Sequence, residues 1–220
     1  MTLRSTLVVL LGVFLMGLLM AALLMAPEPS IALNALVAEQ LENSGTGHPI
    51  TAVLLNFRSY DTLLEVAVLL VAVMITLQMK QHPYSNPEQT PEPVAYALIT
   101  ALVPIITLMA FYLLWAGSYQ PGGAFQAGAL LAAAGVAARL AGIPIHERAN
   151  LVLTLGLVMG LTVFLIVAIA ALFFGNAFLA YPEGTAGAFI LLIEFVLTLS
   201  IGLTLLSLFL FSPKEPNHGH

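Results

Sequence analysis

NFRSYDTLLEVAVLL, residues 56–70, decides how the rest of the chain must be arranged. It opens with a cation, Arg58, and runs into a long apolar segment that carries two carboxylates, Asp61 and Glu65. On a helix these two stack on one face, one turn apart. No further charge follows until Lys80. A helix this apolar belongs in a membrane, and each charge near the hydrocarbon costs several kcal/mol unless it is covered. Neighbouring helices or a water-filled cavity must therefore shield that face.

The composition agrees. Of 220 residues, 60% are hydrophobic and 8% are charged, against roughly 25% charged in a soluble domain. The mean hydropathy is +1.01. Apolar runs of about 20 residues match a hydrocarbon core of about 30 Å, and the alternation of a membrane β-barrel is absent. The expected class is an all-α, polytopic membrane protein. A net charge of −5 and six scattered Lys and Arg offer no basic patch for nucleic acid. With no cysteine, disulfides, thiol catalysis and Cys-held clusters are excluded.

Six apolar spans follow along the chain. The first covers about 6–26; its rival reading is a secretory signal peptide, and its length favours an uncleaved span. Residues 27–59 form the long loop, with Ser30 capping a short amphipathic helix, Asn43 to Gly47 ending it, and ITAVLLNF continuing as an extended piece. The second span runs over 60–79 and the third over 94–116, joined by a proline-rich connector, 81–93. Tyr112, Trp115 and Tyr119 sit where an interfacial aromatic belt belongs. The turn GSYQPGG predicts a tight reversal with a residue at positive φ.

The fourth span, about 124–141, is dominated by small residues. Ala124, Gly128, Ala132 and Gly135 make a groove that lets another backbone approach and that predicts a central helix in need of a partner. Gln126 reads as a buried polar group requiring a hydrogen-bond partner. The fifth and sixth spans cover 150–174 and 188–211, and a polar tail ends the chain. With the N-terminus in the cytoplasm, Arg4, Lys80, Arg139, Arg148 and Lys214 fall inside and Arg58 alone falls outside. That bias predicts six transmembrane helices with both termini cytoplasmic.

Three carboxylates lie in or at the edge of spans: Asp61, Glu65 and Glu194. Acids so placed are candidates for proton relays or cation pathways. The plainer alternatives are a local pair of Asp61 with Arg58 and a structural hydrogen bond for Glu194. His48 and the His146–Glu147–Arg148 cluster read as loop residues, not metal ligands. No HExxH, GxSxG, P-loop or GxGxxG motif is present, so no catalytic residue, metal or cofactor is expected.

Two segments carry a resemblance. Pro49 to Val71 resembles the C-terminal part of the large A subunit of Mrp-type multisubunit sodium/proton antiporters, and equally the small subunit that replaces it in membrane-bound hydrogenases. From Ala97 onward, with PGGAFQAGALLAAAG, the chain is similar to the B subunit of those antiporters, the MnhB family. Ala124 stands where that family commonly has a third glycine. The resemblance implies two parts, 1–80 and 94–211, joined at the connector and followed by a flexible tail, 212–220. It implies a non-catalytic subunit of a complex related to the membrane arm of respiratory complex I, located in the cell membrane. Its partners would be other subunits, lipid, protons, and sodium or another monovalent cation. The carry-over falls on Asp61 and Glu65 in the family's D-T-L-x-E pattern and on Gly122, Gly123 and Gln126 in its glycine-rich turn. With the reading of the residues themselves, the ion-pathway candidates are Asp61, Glu65 and Glu194, the supporting residues Arg58 and Gln126, and the packing positions Gly122, Gly123, Gly128, Ala132 and Gly135. The alternative is a purely structural subunit of a related assembly.

Overall fold

The computed structural model describes residues 3–25, 33–79, 92–144, 151–175, 178–179, 181–182 and 184–211. Among them every regular element is a helix: α1 (Leu3–Leu24), α2 (Leu33–Gln40), α3 (Pro49–Ala52), α4 (Ser59–Met79), α5 (Pro93–Ala116), α6 (Ala124–Leu140), α7 (Leu151–Gly175) and α8 (Ala186–Phe211). The apolar helices end within about three residues of their expected limits, the usual uncertainty of helix ends. Four of them are long and apolar enough to cross a membrane: Ser59–Met79, Pro93–Ala116, Leu151–Phe173 and Ala186–Phe211. α6, with 17 residues, and the apolar stretch Val9–Leu24 of α1 are shorter. The expected cap at Ser30, residues 81–91 of the connector, the His146–Glu147–Arg148 cluster and the tail lie outside the described residues.

The chain divides into two compact units, residues 1–36 and 37–220. The first holds α1, a 22-residue helix without an acidic residue. The second is a helix bundle, and its centre is α8. Ile190, Ile193, Leu197 and Ile201 of α8 pack with Val66 of α4, Ala124 of α6, and Phe164, Val167 and Ala168 of α7. The alanine-rich helix α6 is packed between α5 and α8, as its small residues predict, and α8 is the helix buried on most sides.

The groove on α6 is filled from within the same chain. A Cβ on Gly128 would lie 2.9 Å from Ile201 Cγ2 and 3.1 Å from the Thr198 carbonyl, and one on Gly135 would lie 2.7 Å from Leu206. From the other side, Gly202 would meet the Gly128 carbonyl at 3.3 Å. Small residues on both helices thus let two backbones touch. On the opposite flank of α8, Ser200 Oγ donates to the Leu157 carbonyl at 2.7 Å, and Gly160 makes room for Ser200.

ITAVLLNF is not extended. Pro49 takes the first helical position, where its fixed φ and missing N–H are no handicap, and α3 passes directly into a π-helical turn, Val53–Phe57. Residues 44–58 form a strap over one end of the bundle. Gly45 has φ +78 and lies so close to Ala186 and Gly187 that a Cβ would meet the Gly187 nitrogen at 2.6 Å. Gly47 N–H donates to the Ser118 carbonyl at 2.8 Å, and Thr51 Oγ1 donates to the Gly117 carbonyl at 2.5 Å. The strap is thereby tied to the end of α5 and the start of α8.

Candidate functional site

The site lies beneath the strap, where the start of α6 meets α8. Glu194 is eight residues beyond the first residue of α8, about 12 Å along the axis. Its residue is 2% exposed. The backbone N–H of Ala124, the first residue of α6, donates to its carboxylate. That contact depends on Gly123. With φ +110 this residue occupies a conformation that favours glycine, and a Cβ there would stand 2.8 Å from Glu194 Oε1. The carboxylate therefore sits against the N-terminus of α6, where unpaired N–H groups and the helix dipole favour an anionic oxygen. Its second oxygen, Oε2, is buried without a hydrogen-bond partner.

The turn before Gly123 is equally tight. Gly117 N–H and Gly123 N–H both donate to the Leu113 carbonyl at 3.0 Å, and Gly122 is pressed so closely on that carbonyl that a side chain has no room. The positive φ expected in GSYQPGG is thus found at Gly123.

A small cavity of about 30 Å³ opens beside Glu194, lined among others by Thr51, Leu55, Thr62, Gly122, Gly123 and Gln126. Thr62 Oγ1 donates to the Leu54 carbonyl inside the π-helical turn at 2.7 Å. Ser59 Oγ donates to the Asn56 carbonyl at 2.9 Å, and Asn56 Nδ2 to the Ser44 carbonyl at 2.8 Å. Thr62 and Ser59 satisfy carbonyls of the π-helical turn, and Asn56 ties that turn back to Ser44, so that the strap is fixed over the cavity.

The other expected site residues lie elsewhere. Asp61 is half-exposed and pairs with Arg58, which is itself exposed. Glu65 is exposed on α4, away from the buried face made by Thr62, Val66 and Val73. Neither carboxylate lines the cavity that holds Glu194. Gln126 is exposed, not buried; it shares the outward face of α6 with Ala129 and Ala133, and its tip reaches the cavity rim. Gly128 and Gly135 serve the α6–α8 packing, Ala132 is buried, and none of the three lines the cavity. Among the described residues no group of three or more His, Cys, Asp or Glu could hold a metal ion. Thr51, Thr62 and the backbone of Ala124 were not singled out from sequence. The only sequence signal for them is a glycine pair directly before a helix.

Residues 94–211 match the family described as a domain related to the MnhB subunit of Na+/H+ antiporter. No curated protein matches the chain. Two solved structures share the fold. A chain of the membrane-bound sulfane sulfur reductase, an archaeal respiratory membrane complex, superposes with a TM-score of 0.74 and 23% identity over 95% of this chain and 97% of its own. A chain of the Mrp complex from Dietzia sp. superposes with a TM-score of 0.66 and 18% identity over 100% of this chain and 27% of its own.

Proposed function

Because this chain belongs to the family of domains related to the MnhB subunit of Na+/H+ antiporters, we propose that it is a non-catalytic membrane subunit of an Mrp-type cation/proton antiporter complex. In this reading it flanks an ion pathway and joins neighbouring subunits in the cell membrane. The likeness in fold to chains from two multisubunit membrane complexes supports it. The observation that carries it is Glu65, a carboxylate left exposed on a helix of mean hydropathy 2.2. A lipid-facing carboxylate costs several kcal/mol, so a partner subunit or a hydrated path must cover that face. The reading keeps six spans with both termini cytoplasmic, so that α1 and α6 count as spans in addition to the four longer helices. Residues 1–80 and 94–211 remain its two parts, linked through 81–93. Asp61 and Glu65 then form a rim and an inner position on the outward side of α4, and Glu194 an inner position under the strap.

A second reading has a specific support. The archaeal respiratory chain is matched over nearly its whole length, which favours a subunit of a complex-I-like assembly coupled to redox chemistry, with a scaffolding role only. Glu65→Gln separates the two. It keeps shape and hydrogen bonding and removes the titrating group. In the pathway reading the complex assembles and cation/proton exchange per assembled complex falls steeply, with Asp61→Asn weaker in effect. An unchanged normalised rate for Glu65→Gln leaves scaffolding as the better account.

A further inference from the structure

We propose that Glu194 and the cavity beneath the strap form a proton-holding site, loaded through water, that does not accept the transported metal cation. The inference rests on the pathway reading above and assigns the ion class of its inner position. Three features of the site carry it. A carboxyl 2% exposed has one oxygen engaged by the α6 N-terminus and the other unpartnered. The cavity beside it, about 30 Å³, has room for about two water molecules, each of which needs roughly 10–15 Å³ on this measure. A water there finds the two to four polar partners it needs among Glu194, Thr51, Thr62 and Gln126.

A cation finds less. Hard cations take about six oxygen ligands, with several carboxylates or carbonyls converging. Here one carboxylate is the only anionic group, and one of its oxygens already accepts from Ala124 N–H. The Gly117 and Leu54 carbonyls nearest the two threonines are occupied by those hydroxyls.

Among the described residues, no charged side chain besides Glu194 lines the cavity. α5 and α7 carry no Asp, Glu, Lys or Arg, and Arg139 stands at the opposite end of α6. On the α4 side, Arg58 is held by Asp61 and Glu65 points outward. Tyr181, in the segment before α8, is kept as a neutral phenol because burial pushes it up to about 12. The proton exchanged at Glu194 therefore has the cavity and the adjoining strap as its way in.

The test is infrared spectroscopy of the purified complex, titrated with acid and base at low and at high sodium. The expected result is a titrating carboxyl band that is lost in Glu194→Gln and whose midpoint does not move with sodium. Should the amide variant fail to assemble, Glu194→Asp serves instead and must displace the same band. A midpoint that falls as sodium rises means that the cation competes for the carboxylate, and overturns the proposal. Absence of any titrating band that responds to either substitution also overturns it and leaves Glu194 as a structural acceptor. The spectrum is independent of transport, so a complex that exchanges no ions yet shows the band refutes the pathway reading alone.

Discussion

Gly123 is the residue on which the interior site turns, since it combines a left-handed backbone with a Cβ position already occupied by a carboxylate oxygen. Gly123→Ala is expected to destabilise the assembled complex by about 1–3 kcal/mol, the cost of a strained backbone conformation, and to push Glu194 off the Ala124 N–H. Thermal unfolding of the purified complex measures the first effect, and the carboxyl band of Glu194 the second. A variant with unaltered melting and band would mean that the turn relaxes freely. Glu194 itself was legible in the sequence, because a lone acid in an apolar run of that length stands out. Its partner was not, since a backbone N–H and a φ angle leave no side-chain signature beyond two adjacent glycines. Gln126 was misjudged for a related reason: a helix made largely of alanine shows almost no contrast between its faces, so the outward side of α6 could not be told from the inward one.

At the scale of elements, α6 and α8 form the closest-packed pair, and the glycine groove belongs to this seam. Gly128→Leu must drive a branched side chain into Ile201 and the Thr198 carbonyl; overpacking of this kind costs about 1–3 kcal/mol or more. The expected outcome is loss of the folded chain itself, seen as proteolysis of α8 and low abundance even without partner subunits. A stable, protease-resistant chain that merely fails to join its complex would place the groove at an intersubunit surface. Helix positions were readable because unbroken apolar runs end at Pro, Gly or charge. The strap was not. ITAVLLNF is rich in branched apolar residues that suit an extended chain, and only Pro49 at a first helical position argued otherwise. The π-helical turn that follows is held by Thr62 of α4, by Ser59 and by the Asn56 contact to Ser44, side-chain-to-carbonyl contacts that carry no pattern readable in the sequence.

For the whole molecule, orientation is open to a direct test, because the chain has no cysteine of its own. Single-cysteine variants Tyr119→Cys, in the exposed turn before α6, and Ser85→Cys, in the connector, should fall on opposite sides of the membrane. A membrane-impermeant thiol reagent is expected to label the first in intact cells and the second only after permeabilisation. The reverse pattern inverts the topology, and labelling of both from one side removes the crossing of α5 between them. Once oriented, the bundle has a mechanical property that follows from the α6–α8 seam. Where two backbones touch at Gly128 and Gly202 there is no layer of side chains on which one helix can slide past the other. The pair is in effect one stiff beam. A push delivered at the Arg139 end is carried by both helices together, so the Ala124 N–H on α6 keeps its place against the Glu194 carboxylate on α8.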